Sequence, residues 1–386
     1  MDFNDYFNPV SLEKPDERIF FKESLFCKRI KTHTANSPIS DIDDVNVVII
    51  GVPEERNAIS SGSRLAPDVV REKLYQLVSI KGPLNIFDFG NLKLGNSIND
   101  TYFALRDAMS ELIEKNIIPI VIGGSQDLTY GMFSAYEFLK RKVNLVTFDA
   151  RIDLQNANNE LKSDSYLSTI LVRRDTLFNY VNIGQQIYFL DDKEIAFLDK
   201  TLSYPVRLGL VRGNMPAIEP ILRDADLISL DVCSIKQNDA PGQSFPSPNG
   251  FYSEEICQLA RYAGLGDRIS SFGLFEINPK LDINNQTSHL IAQVIWYFLD
   301  GLANRQKETP AEEDKSFKKF IIHLDHEGRD VTFYKSMKTN RWWIEIPSLN
   351  KDRKNIIAAC NYEDYQTTCE KEIPDIYWKL FQKINY

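Results

Sequence analysis

Residues 148–153, Phe-Asp-Ala-Arg-Ile-Asp, close an apolar run with two carboxylates, Asp149 and Asp153, four positions apart. Carboxylates gathered at a strand end converge on a hard metal ion or on a cationic substrate group. An arginine, Arg151, stands between them. A guanidinium stays protonated in a protein and has no lone pair to give, so it is no metal ligand. Three chemistries fit the pattern: a working metal site, a site whose cation has been replaced by Arg151, and a salt bridge at a strand end. Imidazole ligands are scarce, because the chain has four histidines, His33, His289, His323 and His326. The last two sit in "HLDHEG" (323–328), which has no companion motif and reads as a solvated turn.

These residues need elements to hold them. Short apolar runs at 45–51, 118–123, 143–149, 181–189, 226–232 and 271–276 are rich in Val, Ile and Leu and end near Gly, Asp or Glu. Such continuous runs suit strands buried on both faces of a parallel sheet. Helical patterns lie between them. In 100–115, Leu105, Met109, Leu112 and Ile113 share one helix face. Pro67 opens a helix, where its missing N–H is not needed. Ser253 is expected to cap the helix "EEICQLARYAG", with Glu254 and Glu255 in its first turn. Asp127 is expected to cap the helix that follows it. Alternating β and α units predict an α/β fold with three layers, helices on both faces of a mostly parallel sheet. Ligands in such sheets bind beyond the carboxyl ends of the strands, where Asp149 and Asp231 fall.

Residues 1–44 read as an N-terminal arm with little periodicity. Residues 305–316, "RQKETPAEEDKS", are polar and read as a linker. Residues 317–386 change texture, with alternating strands, a turn near Thr339-Asn340 and a final helix. They predict a small α+β extension after a main domain spanning 45–304. "NRWW" (340–343) reads as a strand packing its tryptophans in that extension.

Three distant segments carry a resemblance: "VIGGSQDLTYG" (121–131), "FDARIDL" (148–154) and "SLDVCSIKQNDAPGQSFPSPNGF" (229–251). With "GVPEERN" (51–57) before them and "FEINPKLD" (275–282) after them, the chain resembles the arginase (ureohydrolase) family over about residues 45–304. That family contains arginases, agmatinases and formimidoylglutamases, and the opening "GVPEERN" is most similar to the last. The resemblance implies an α/β/α fold and two Mn²⁺ ions bridged by hydroxide, which attacks a guanidine or formimino carbon. It also implies a trimeric or hexameric assembly.

Carried over by position, the resemblance places Gln126 where the family has a ligating histidine. It places Arg151 at the second histidine, between the retained Asp149 and Asp153. Asp231 is retained, and Cys233 replaces a final aspartate. Glu276 matches a glutamate that faces the substrate's cationic group. The family's substrate-side histidine falls near 162–170, where this chain has none. Gln126 offers one weak amide oxygen, and a Cys233 thiolate prefers softer metals than Mn²⁺.

Charge counting gives the sharpest expectation. Three aspartates and Arg151 sum to −2, and a planar guanidinium binds carboxylates in pairs. Arg151 is therefore expected to take the place of the metal cluster. On that reading the protein carries no metal and acts as a binding or scaffolding protein. The alternative is an active hydrolase of linear amidine C–N bonds, with one divalent metal held by Asp149, Asp153 and Asp231. A third use of the pocket has Arg151 and Glu276 binding an amino-acid-like ligand. The extension is a candidate surface for a protein partner.

Composition narrows the class further. The formal charge is −9, which argues against a broad affinity for nucleic acid or anionic membrane. No apolar stretch reaches the length of a membrane span, and the acidic N-terminus has no signal-peptide pattern. Five cysteines without close pairing suit a reduced, cytoplasmic protein.

Overall fold

The computed structural model describes residues 1–11, 23–154, 161–311, 314–324, 329–350 and 354–385. Within them a ten-stranded sheet forms the core. Its strands in chain order are β1 (Phe7–Asn8), β2 (Lys31–Thr32), β3 (Val47–Val52), β4 (Ile86–Leu92), β5 (Ile118–Gly123), β6 (Val143–Phe148), β7 (Leu177–Gln185), β8 (Tyr204–Arg207), β9 (Leu227–Asp231) and β10 (Ser271–Phe275). Their order across the sheet is β1-β4-β3-β5-β10-β9-β6-β7-β8, with β2 also on β4. Every pairing is parallel except β1 with β4.

The apolar runs form strands because both faces of the sheet are covered. On β3, Val47 and Ile49 enter one core, while Val48, Ile50 and Val52 enter the other. The first core is closed by helices Ala66–Tyr75, Ser253–Leu265 and Gln286–Ala303, the second by Ile98–Glu114 and Leu128–Phe138. Pro67 sits in the first turn of its helix as expected.

Some expectations shift. The fourth apolar run pairs over Leu177–Gln185 instead of 181–189, and Ile187–Phe189 turn away as a short 3-10 segment. Strand β4 was not expected. Its sequence "IFDFGNL" is interrupted by Asp88 and Gly90, and the structure buries Asp88 against the Arg71 guanidinium (2.7 Å) and the Tyr75 hydroxyl (2.9 Å). The N-terminal arm is not featureless, because β1 and β2 join the sheet edge and Phe3 and Phe7 are buried.

Ser253 does not cap its helix. It is the first helical residue, and its N–H and hydroxyl both donate to Asp239. Glu255 instead reaches back to the Tyr252 N–H. Asp127 makes no side-chain cap either. Its carboxylate accepts a short hydrogen bond from the Tyr102 hydroxyl.

The C-terminal region carries a separate four-stranded antiparallel sheet in the order β11-β12-β13-β14. These are β11 (Phe317–Leu324), β12 (Arg329–Ser336), β13 (Trp342–Ile346) and β14 (Ile356–Cys360), followed by helices Tyr362–Cys369 and Asp375–Asn385. Trp342 and Trp343 are buried strand residues, as expected. His323 pairs with Asp330, while residues 325–328 of "HLDHEG" lie outside the described residues. The extension docks through Arg223, which donates to the Trp342 carbonyl (2.9 Å) and stacks on the Trp343 ring. The segment after residue 304 is also tied down. Arg305 donates to the Gly264 and Ile269 carbonyls, and Glu308 accepts from the Ser336 and Thr339 hydroxyls.

Candidate active site

Four neighbouring strands, β5, β10, β9 and β6, end on one rim of the sheet. Consecutive strands β5 and β6 are separated there by β10 and β9, so the chain leaves the centre in both directions. Such a reversal opens a crevice at the carboxyl ends of the strands. Gln126 follows β5, Asp149 follows β6, Asp231 ends β9 and Glu276 follows β10. The loop after β5 can pass because Gly124 has no side chain. A Cβ there would lie 1.7 Å from the Glu54 carbonyl oxygen.

Asp149, Asp153 and Asp231 are brought together, with one carboxylate oxygen of each within 4.8 Å of the others. Two are aimed by their own loops. Asp149 Oδ1 accepts from the Arg151 N–H (2.9 Å), and Asp231 Oδ1 accepts from the Cys233 N–H (2.6 Å). Asn182 on β7 donates to the carbonyls of Asp149 and Arg151 and pins the first loop. Asp153 Oδ2 is buried with no hydrogen-bond partner. Burial and mutual repulsion raise the carboxyl pKa of Asp149 and Asp153 well above the usual range, and burial pushes Asp231 up to about 6. Three buried acids held this close need either shared protons or a cation.

Arg151 does not supply that cation in the expected way. Its guanidinium makes no ion pair with Asp149, Asp153 or Asp231 among the described residues. It lies over the Phe189 ring at 4.0 Å and near the Phe245 ring at 5.2 Å. A guanidinium is weakly hydrated and stacks well on aromatic faces. The bidentate fork between carboxylates is therefore absent, and Arg151 only softens the repulsion from a distance.

Gln126 is fixed by its backbone and its amide. Its N–H donates to Glu276 Oε1 (2.9 Å). Its Nε2 donates to Ser229 Oγ (2.9 Å) and Tyr166 Oη (3.2 Å). The amide oxygen, Oε1, is buried and unpartnered. Cys233 is buried, and its thiol is pushed well up by burial and by Asp231, so it stays protonated beside the acids. Glu276 adopts φ 62°. Its backbone N–H bonds the Gly124 carbonyl, and its carboxyl, raised by burial and Asp231, faces the same cavity.

That cavity holds about 300 Å³. Among the described residues six carboxylates line it, Asp149, Asp153, Asp164, Glu194, Asp231 and Glu276, against one cation, Arg151. It is built for a positive occupant. Ser163 and Asp164 enter from the segment where the resemblance placed a substrate-side histidine. Glu194 and Phe189 come from stretches with no chemical signature in the sequence, and Phe245 lies in the 229–251 motif without having been singled out. Tyr166 and Asn182 also escaped notice, because one lies in a short helix and the other inside an apolar strand.

The residues fit one divalent ion. The three aspartates gather their carboxylate oxygens, and Gln126, on the wall of the same cavity, has a buried amide oxygen without a partner, a neutral donor of the kind that suits a hard cation. A second ion would need ligands where this chain has Arg151 and a protonated Cys233.

Comparison with known proteins agrees with the fold. Residues 45–300 match the model of the arginase family. Among curated relatives, formimidoylglutamase of Staphylococcus haemolyticus (strain JCSC1435) is 24% identical over 265 residues, covering 64% of this chain and 81% of that one. Formimidoylglutamase of Bacillus subtilis (strain 168) is 24% identical over 280 residues, covering 66% and 86%. The solved structure of formimidoylglutamase from Bacillus subtilis superposes with a TM-score of 0.68 at 20% identity, covering 79% of this chain and 99% of that one. Trypanosoma cruzi formiminoglutamase with Mn2+2 gives 0.65 at 19% identity, covering 69% and 96%. Shared motif order, shared sheet and a family match over two-thirds of its length place this chain in the arginase family.

Proposed function

We propose that this protein is a hydrolase of linear amidine C–N bonds, similar to the formimidoylglutamases, that works with a single divalent metal. The observation that carries the reading is the buried triad Asp149, Asp153 and Asp231, with no ion pair to Arg151. Gln126 Oε1 completes the donor set. When bound, the cation lowers the pKa of water and polarises the amidine.

The chain's own residues then have distinct tasks. Glu276 and Asp164 face the cavity and attract the amidinium end of the substrate. Arg151, beside two aromatic rings and without an acidic partner among the described residues, suits a substrate carboxylate. A linear amidine carrying a carboxylate, such as formimidoylglutamate, has both ends. The Gln126 N–H holds Glu276 in place, and Ser229 and Tyr166 keep the Gln126 oxygen turned from their own donors.

The test is turnover of formimidoylglutamate, agmatine and arginine with added Mn²⁺, Ni²⁺ or Zn²⁺. The reading expects metal-dependent hydrolysis of formimidoylglutamate, abolished by Asp149→Ala. A second reading, a metal-free ligand-binding protein, is favoured by Arg151 and Cys233 standing where a second metal would need ligands. It expects no turnover with any metal, and saturable binding that Asp149→Ala leaves intact.

A further inference from the structure

A second cavity, of about 510 Å³, lies between the core sheet and the C-terminal extension. It opens at the amino ends of β6, β7 and β8, the side of the sheet away from the carboxylates. Its apolar walls come from both parts of the chain: Val146 and Val181 from the core, Ile356 from β14, and Ile376 and Leu380 from the last helix.

Its polar groups gather in one place. Asn144 and Asn179 are register partners on β6 and β7. Their side chains therefore stand on one face, a strand spacing of about 4.8 Å apart. Asn144 donates its amide N–H to the Asp224 carbonyl, and its Oδ1 is buried without a partner. Asp224, also on the wall, has one carboxylate oxygen engaged by the Ala359 N–H. Asn179 Oδ1 accepts from the Lys383 ammonium. Lys383 has no carboxylate partner among the described residues, and burial pushes its pKa down to about 8. Arg268 and Asp226, at the same end, are already paired with each other.

An acceptor lacking a donor thus stands one strand from an ammonium lacking an acid, above an apolar wall. We propose that this cavity binds an α-amino acid with a large apolar side chain. The ligand's ammonium meets Asn144 Oδ1 and the Asp224 carboxylate, its carboxylate meets Lys383, and its side chain packs among Val146, Ile356 and Leu380. Ammonium and carboxylate sit on one carbon of such a ligand, so they reach partners a single strand spacing apart. A simple fatty acid leaves Asn144 unsatisfied, and an apolar amine leaves Lys383 unsatisfied. Because the walls belong to both parts of the chain, the ligand holds the extension against the core and stabilises the whole by mass action.

The test is calorimetric titration of the full chain with L-leucine, L-phenylalanine and octanoate, with thermal unfolding alongside. Expected is saturable binding of leucine or phenylalanine that raises Tm. Lys383→Met should weaken it about tenfold or more, the loss of a charged hydrogen bond. Ile376→Trp, which fills the cavity from the last helix, should also weaken it, with both variants folding normally without ligand. Asp231→Asn should leave it unchanged, which separates this cavity from the carboxylate site. The proposal is overturned by no binding up to about 10 mM, weaker than any affinity of use. It is equally overturned by octanoate binding as tightly as leucine, or by binding insensitive to both cavity variants.

Discussion

Asp231 binds one oxygen to the Cys233 N–H and leaves the other to the triad, and its carboxyl titrates near 6 because burial disfavours its charge. In the unfolded chain an aspartate titrates near 3.9. The folded pKa is the higher, so the stabilising contribution is present below about pH 4 and is lost as pH rises through about 6. In metal-free protein, Asp231→Asn should therefore match the parent at pH 4 and exceed it at pH 7.5, by on the order of 2 kcal/mol. With saturating Mn²⁺ the order should reverse, because the parent gains a ligand and the variant loses one. Urea unfolding at both pH values, with and without metal, reads this out. A second residue-level outcome concerns Arg151. Arg151→Met should raise KM for formimidoylglutamate about tenfold or more, the loss of a charge-assisted hydrogen bond, and leave KM for agmatine unchanged. Steady-state kinetics on the two substrates checks it.

At this scale the sequence showed which residues meet but not how Arg151 points. The positions of Gln126, Asp149, Asp153, Asp231, Cys233 and Glu276 were legible because motif order places them at strand ends. The orientation of Arg151 depends on the rings of Phe189, which carries no motif, and Phe245, which lies within the 229–251 motif but has no chemistry that marks it out. Counting charges alone favoured a guanidinium between carboxylates, and stacking on aromatic faces won instead.

Elements set the geometry through close approaches that tolerate little change. The loop after β5 passes Glu54 only because Gly124 lacks a side chain. Gly124→Ala should destabilise the fold by about 1–3 kcal/mol through overpacking, and should lower metal affinity by shifting Gln126 and Glu276. Gly209→Ala is the matched control, since nothing lies within 4 Å of its added methyl group. Thermal melts of the two variants, with metal titration, give the comparison.

Buried parallel strands were legible wherever the run was purely apolar. Strand β4 was hidden because Asp88 breaks its hydrophobic pattern, and Arg71 and Tyr75, on a separate helix, together with the Gly90 N–H, make that aspartate tolerable inside. Capping misled for a similar reason. Asp127 and Ser253 have the right side chains at helix starts, but Tyr102 and Asp239 offer them tertiary partners.

For the whole molecule, the extension is held by a few buried polar contacts that no local pattern announces. Arg223 spans the joint, donating to Trp342 and stacking on Trp343. Arg223→Ala should cost about 2 kcal/mol or more by leaving a buried carbonyl unpaired, and should raise hydrogen exchange in β13 and β14 ahead of the core strands. The change in texture after residue 304 was visible in the sequence. That the intervening segment is tied to both sides was not, because Arg305 and Glu308 find their partners across the fold.

The proposed function requires a single divalent ion among Asp149, Asp153 and Asp231. Elemental analysis of protein purified with Mn²⁺ and freed of loose metal measures this directly. One manganese per chain is expected, lost in Asp231→Asn. No manganese in the parent protein, or two per chain, would contradict it.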